Sequence, residues 1–153
     1  MNASYLRTAA IAMSIGIISF TSCTKEDDPP GDDILNQIQS DVQNGTWRIA
    51  SFIDSGEDET HHFAGFNFAF NGSGVLNASN GTITYDGTWS ISDSNSGDDS
   101  QDEIDFNIYF NLSNEFEDLN DDWDLVSRSD TKIELFDVSG GNGGTDYLTF
   151  EKN

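Results

Sequence analysis

"TITYDGTWSIS", residues 82–92, alternates. Ile83, Tyr85, Gly87, Trp89 and Ile91 fall on one side of an extended chain, and Thr82, Thr84, Asp86, Thr88, Ser90 and Ser92 on the other. Successive side chains of a strand point to opposite faces, so the stretch reads as a strand with one buried and one wetted face. "EIDFNIYFN" (103–111) repeats the pattern, with Ile104, Phe106, Ile108 and Phe110 against Asp105, Asn107, Tyr109 and Asn111. "GFNFAF" (65–70) sets Phe66, Phe68 and Phe70 on one face. "TWRIASFI" (46–53), "VLNAS" (75–79), "WDLVS" (123–127), "KIELFDV" (132–138) and "YLTFEK" (147–152) complete the set.

The punctuation between these runs agrees with hairpins. Asn80-Gly81 is a type I′ signal, "NGSG" (71–74) and "RSDT" (128–131) close two more turns, and "SGGNGGTD" (139–146) is a longer connection. The count is about eight antiparallel strands with near-neighbour connections and one consistently apolar face. Closing into an up-and-down barrel buries that face and removes the sheet edges. An immunoglobulin-like sandwich is the alternative architecture, but its Cys–Trp–Cys pattern is absent from a chain with one cysteine.

Before the strands the period is that of a helix. In "DDILNQIQSDVQNG" (32–45), Ile34, Ile38 and Val42 recur every fourth residue with Leu35 beside them, Asp32 and Asp33 suit the N-terminus, and Gly45 suits the stop. So short a helix is marginal alone, so its stripe must pack on the domain that follows.

Composition narrows the function classes. In 153 residues, 28 Asp and Glu face 6 Lys and Arg, a formal net charge of −22. A phosphate backbone needs a basic patch, so nucleic acid is not expected as a partner. Such charge often accompanies disorder. Here 11 Phe, 4 Tyr and 3 Trp argue instead for a folded core with acidic loops.

The first residues carry an address. Arg7 is followed by an apolar run, "AAIAMSIGIISF" (9–20), too short for a comfortable span of a bilayer core about 30 Å thick. Ending in "FTSC", it reads as an export signal and resembles the lipobox of bacterial lipoproteins, with Phe20 where Leu is usual, a looser form found in Bacteroidota. The resemblance implies cleavage before Cys23 and acylation of its thiol and amine, an anchor of more than one chain and therefore stable. "TKEDDPPGDD" (24–33) is polar and Pro-bearing, as a tether should be, and "KEDD" (25–28) resembles a Bacteroidota signal for display at the cell surface rather than retention in the periplasm. The chain thus divides into a signal peptide (1–22), a lipidated tether (23–31), an amphipathic helix (32–44) and a β domain (45–153), with the outer membrane as its expected address.

The β domain itself resembles the lipocalin-like domains of bacterial lipoproteins. Gly45-Thr46-Trp47 and Gly87-Thr88-Trp89 match their two Gly-x-Trp strands, "FAGFNFAF" their Phe-rich strand, Trp123 their later Trp strand and Leu148-Thr149-Phe150 their closing strand. The resemblance spans roughly residues 44–152 and implies an eight-stranded lipocalin-like barrel that binds a small hydrophobic or amphipathic molecule. Trp47, Phe66, Phe68, Tyr85, Trp89, Phe106 and Trp123 are the rings expected to line such a pocket. An eight-stranded barrel is just wide enough to be filled by side chains or to hold one small ligand, so a packed core with working loops is the competing expectation.

Other chemistry is sparse. Asp93, Asn95, Asp99 and Asp102 in the loop "DSNSGDDSQDEID" (93–105) offer oxygen ligands for Ca²⁺, although glycine falls early for an EF-hand and the twelfth position lacks Glu. His61 and His62 point apart if the chain is extended there, and therefore chelate poorly together. No Gly-x-Ser-x-Gly occurs and neither histidine sits in a nucleophile–base setting, so the sequence does not read as an enzyme.

Overall fold

The structure, a computed structural model, describes residues 30–93, 104–138 and 144–153. A helix, α1 (Pro30–Gln43), leads into nine strands: β1 (Trp47–Asp54), β2 (Glu57–Asp58), β3 (Asn67–Phe70), β4 (Val75–Ser79), β5 (Thr84–Asp93), β6 (Ile104–Tyr109), β7 (Asp121–Arg128), β8 (Lys132–Val138) and β9 (Thr145–Lys152). From β3 to β9 each strand pairs antiparallel with the next, and β1 pairs with both β3 and β9, which closes an eight-stranded barrel with β2 as a short extra strand. The barrel expected from the alternation is therefore the fold, and the β1–β9 ladder rules out a two-sheet sandwich.

The two sides of β1 differ. Towards β9 it pairs from Trp47↔Lys152 to Ile53↔Tyr147, with a bulge between Ile49 and Ser51. Towards β3 it pairs only at Trp47↔Phe68. The rest of that seam is filled by the chain before β3. β2 pairs with Ile53 and Asp54, the Glu59 N–H donates to the Phe52 carbonyl at 3.0 Å, and the Thr60 hydroxyl accepts the Phe52 N–H at 2.8 Å. A closed barrel leaves no strand edge, and here a hydroxyl and a two-residue strand complete what a longer β3 would have done. Nothing in the alternation announces β2, because two residues carry no period.

Inward-facing residues fill the interior. Trp47, Phe68, Leu76, Ala78, Phe106, Leu148 and Phe150 have no exposed surface. Gly87 breaks the inner face of β5 for a packing reason: a Cβ there would lie 2.6 Å from the Tyr109 carbonyl oxygen and 2.7 Å from the Phe110 ring. α1 covers one end, with Ile38 and Val42 buried and Ile34 and Leu35 packed at the margin. Each such side chain contributes about 1.5–3 kcal/mol of burial, which is how a helix too short to stand alone is held. Two 3₁₀ turns, Thr60–Phe63 and Glu117–Leu119, help cover the other end with Phe63 and Leu119, joined by the neighbouring Phe116.

Two local expectations are corrected. Ser79 pairs with Thr84, so residues 80–83 form a four-residue loop rather than a two-residue type I′ turn; the Asn80 carboxamide oxygen accepts the backbone N–H groups of Thr82 and Ile83 at 3.0 and 2.8 Å. Asn80 keeps a negative φ while Gly81 takes +84°. Ile83, expected on the inner face, therefore sits in this loop at 44% exposure.

Candidate functional site

The rings nominated for a pocket lie in the barrel interior, and they mostly face one another. Trp123 meets Phe52 (6.2 Å between centroids), Phe52 meets Phe63 (5.6 Å), and Phe63 meets Phe116 (5.3 Å). Phe116 is the hub, touching Phe66, Phe68, Tyr85 and Phe110 at 4.8–6.1 Å. Through Phe68 the contacts run on to Phe150, Phe70, Trp89 and Phe106. Most of these pairs are edge-on, the arrangement favoured by ring quadrupoles and worth about 0.5–1.5 kcal/mol beyond area burial. Trp47 stands apart from this set. It is fully buried, donates its indole N–H to the Val42 carbonyl at 2.8 Å, and carries the Lys152 ammonium 5.5 Å from its ring. Tyr85 is the half-buried member, its hydroxyl accepting from Asn114 at 3.3 Å. The alternation placed the nominated strand rings correctly but could not see Phe63 and Phe116, which reach the interior from turns, or Phe52, which the bulge in β1 turns inward.

Of the nominated calcium ligands, Asp93 ends β5 in register with Ile104, and Asn95, Asp99 and Asp102 lie outside the described residues, as does the lipidation candidate Cys23. Among the described residues no three His, Cys, Asp or Glu side chains group as a metal site would require. His61 and His62 do not point apart, because the 3₁₀ turn winds them together: their rings lie 3.9 Å apart, and His62 Nε2 is 3.0 Å from the Glu59 carboxylate.

The sequence reading missed a rim of carboxylates. Asp121 shares the phase of Trp123 and Leu125, Asp137 that of Ile133 and Leu135, Asp146 that of Leu148 and Phe150, and Asp54 that of Phe52. All four continue core-facing rows past their last apolar residue, at the end of the barrel away from α1. Asp137 and Asp146 are direct register partners, and the Asp146 carboxylate accepts the Ser55 N–H at 2.6 Å. Partial burial, with the charges of Asp137 and Asp122 nearby, pushes the Asp121 carboxyl up to about 6. Asp118 is raised by burial and by Asp54 and Glu59, and Asp124 by burial and by Asp105 and Asp137. Extending each strand's inward phase by one step would have exposed this rim: acids at core positions are the signal.

The opposite end has the opposite character. Arg48, Arg128, Lys132 and Lys152, the Lys and Arg of the described residues, all sit there, where β1 and β8 begin and β7 and β9 end. Arg128 pairs with Asp41 of α1, Arg48 with Glu151 and Lys132 with Glu134. The barrel therefore has a charge-paired, helix-covered end and a rim of acids at the other.

No protein-family model and no curated protein matches the chain. Among solved structures it is similar to a DUF4847 family protein from Bacteroides vulgatus ATCC 8482, with a TM-score of 0.49 and 18% identity over 76% of this chain and 97% of that one.

Proposed function

We propose that this chain is a lipid-anchored lipocalin-like protein of the bacterial outer membrane, more often at the cell surface than on the periplasmic side. Its barrel is a filled scaffold that binds partners on its outer surfaces, not an enzyme. The observation that carries the reading is the ring network: six of the seven nominated pocket rings each lie within 6.2 Å of another ring, and the seventh, Trp47, is hydrogen-bonded and fully buried. Side chains that spend their apolar surface on one another leave little of it for a ligand inside the barrel. The anchor rests on the "FTSC" resemblance at Cys23 and on the position of α1, which would hand the tether to the charge-paired end and direct the acidic rim away from the lipid.

A second reading keeps the small hydrophobic ligand. It is favoured by Phe66 and Tyr85, stacked at 6.0 Å with Tyr85 half-buried at the margin of the core, where an apolar molecule could add a third ring. Native mass spectrometry of residues 24–153 separates the two. The scaffold reading expects the bare protein mass; a reproducible extra mass of metabolite size would establish the carrier. Anchoring is checked separately, by labelled palmitate entering the wild-type chain and not Cys23→Ala.

A further inference from the structure

On the outer wall of the barrel, β5 and β6 frame a hollow of about 200 Å³. Its floor is Thr88 and Ser90, and its sides are Tyr109 and Asn107, the register partners of those two residues. Tyr109 is 55% exposed, a large ring left in water beside the outward Thr88, Ser90 and Asn107, with Val75 on the other side of Thr88. Asn107 is held in place by donating to the Ser92 hydroxyl at 3.1 Å. The hydroxyls of Thr88, Ser90 and Tyr109 make no hydrogen bond among the described residues. The contrast with Tyr147 is informative. That ring is 51% exposed as well, but its register partners are the apolar Ile53 and Phe136 rather than hydroxyl and carboxamide side chains.

An exposed aromatic face beside uncommitted hydroxyls and a fixed carboxamide matches one ligand chemistry closely. A pyranose ring presents a face of C–H groups to the electron-rich ring and an edge of hydroxyls that both donate and accept. The hollow is smaller than the roughly 300–1,000 Å³ of drug-sized pockets, so it suits one ring of a longer chain lying over the wall. Asp86 and Asp122 border it on the same outer face and the whole chain carries −22, so an anionic polymer is repelled and a neutral one is not. We infer that the Tyr109 hollow is a subsite for a neutral hexopyranose polysaccharide. The site depends neither on the anchor nor on what fills the barrel.

Electrophoresis of the purified protein through native gels cast with dextran, mannan, galactan or, as the anionic counterpart, polygalacturonate tests it. The expected result is retardation by at least one neutral polysaccharide, weakened roughly tenfold in Tyr109→Ala and unchanged in Tyr147→Ala. Ser90→Trp, which fills the hollow and leaves Tyr109 in place, should abolish it too, so the test survives if one variant folds poorly. Retardation by none of the neutral polymers overturns the proposal. So does retardation by polygalacturonate alone, or retardation that persists in both Tyr109→Ala and Ser90→Trp.

Discussion

The two ends of this barrel solve the same problem differently. At the α1 end, apolar side chains are covered by a helix stripe, and Arg128 is answered by Asp41, Arg48 by Glu151 and Lys132 by Glu134. At the far end, 3₁₀ turns supply the covering rings, while carboxylates extend the inward rows with no Lys or Arg among the described residues near them. One end is organised to be stable. The other carries like charges in partial burial, a stability cost that scaffolds tolerate where a surface has something to meet.

Mutations should separate the ends. The largest effect is expected of Trp47→Ala, which removes a fully buried indole and its bond to Val42 at the helix-covered end; a loss of about 3–5 kcal/mol in denaturant unfolding is anticipated. Asp41→Ala leaves the Arg128 guanidinium, whose Nε already lacks a partner, half-buried and unanswered, and should cost about 1–3 kcal/mol. If Asp41→Ala unfolds like wild type, the charge pairing at that end is ornamental.

The rim should respond in the other direction. The Asp121 carboxyl is raised from 3.8 to about 6, so between those values the folded state holds more protons than the unfolded chain. Stability is then greatest on the acidic side and falls as pH rises through about 6. Asp121→Asn should gain about 1 kcal/mol at pH 7, after allowance for its partial exposure to water, and should flatten the rise in Tm expected of the wild type on going from pH 7 to 5. Asp118 and Asp124, raised in the same sense, should keep part of that slope. An unaltered slope in the variant would remove Asp121 from the account. The smallest effect belongs to Arg48→Ala, about 0.2–1 kcal/mol and shrinking with added salt, because its pair with Glu151 is open to solvent.

How much of this was legible follows from what a period can carry. Eight of the nine strands and α1 announce themselves as elements, since a run of alternation or an i, i+4 stripe fixes the element and, where no bulge shifts the phase as it does in β1, the face as well. Phe63, Phe116 and Leu119 were silent because they enter the core from turns, where side-chain direction has no period. The rim was readable in principle: Asp137 follows Ile133 and Leu135 by the same step of two, yet an acid on that step looks like the end of a strand. The Asn80 loop was misread because a side chain there takes over hydrogen bonds that the type I′ backbone would have made. The Tyr109 hollow was hidden by the alternation itself, which marks Tyr109 only as an outward residue and says nothing of what stands beside it.

The ladder between β1 and β9 has a consequence in time. It joins residues such as Arg48 and Glu151, 103 positions apart, and just beyond β9 the Asn153 N–H donates to the Thr46 carbonyl at 3.0 Å. The ring is therefore completed by its final strand. Until β9 arrives, the β1 and β8 edges stay bare, and closing the circle carries the slow kinetics of a long-range pairing. A chain cut short before Thr145 would be left an open sheet with two sticky edges, a substrate for proteases and neighbours alike.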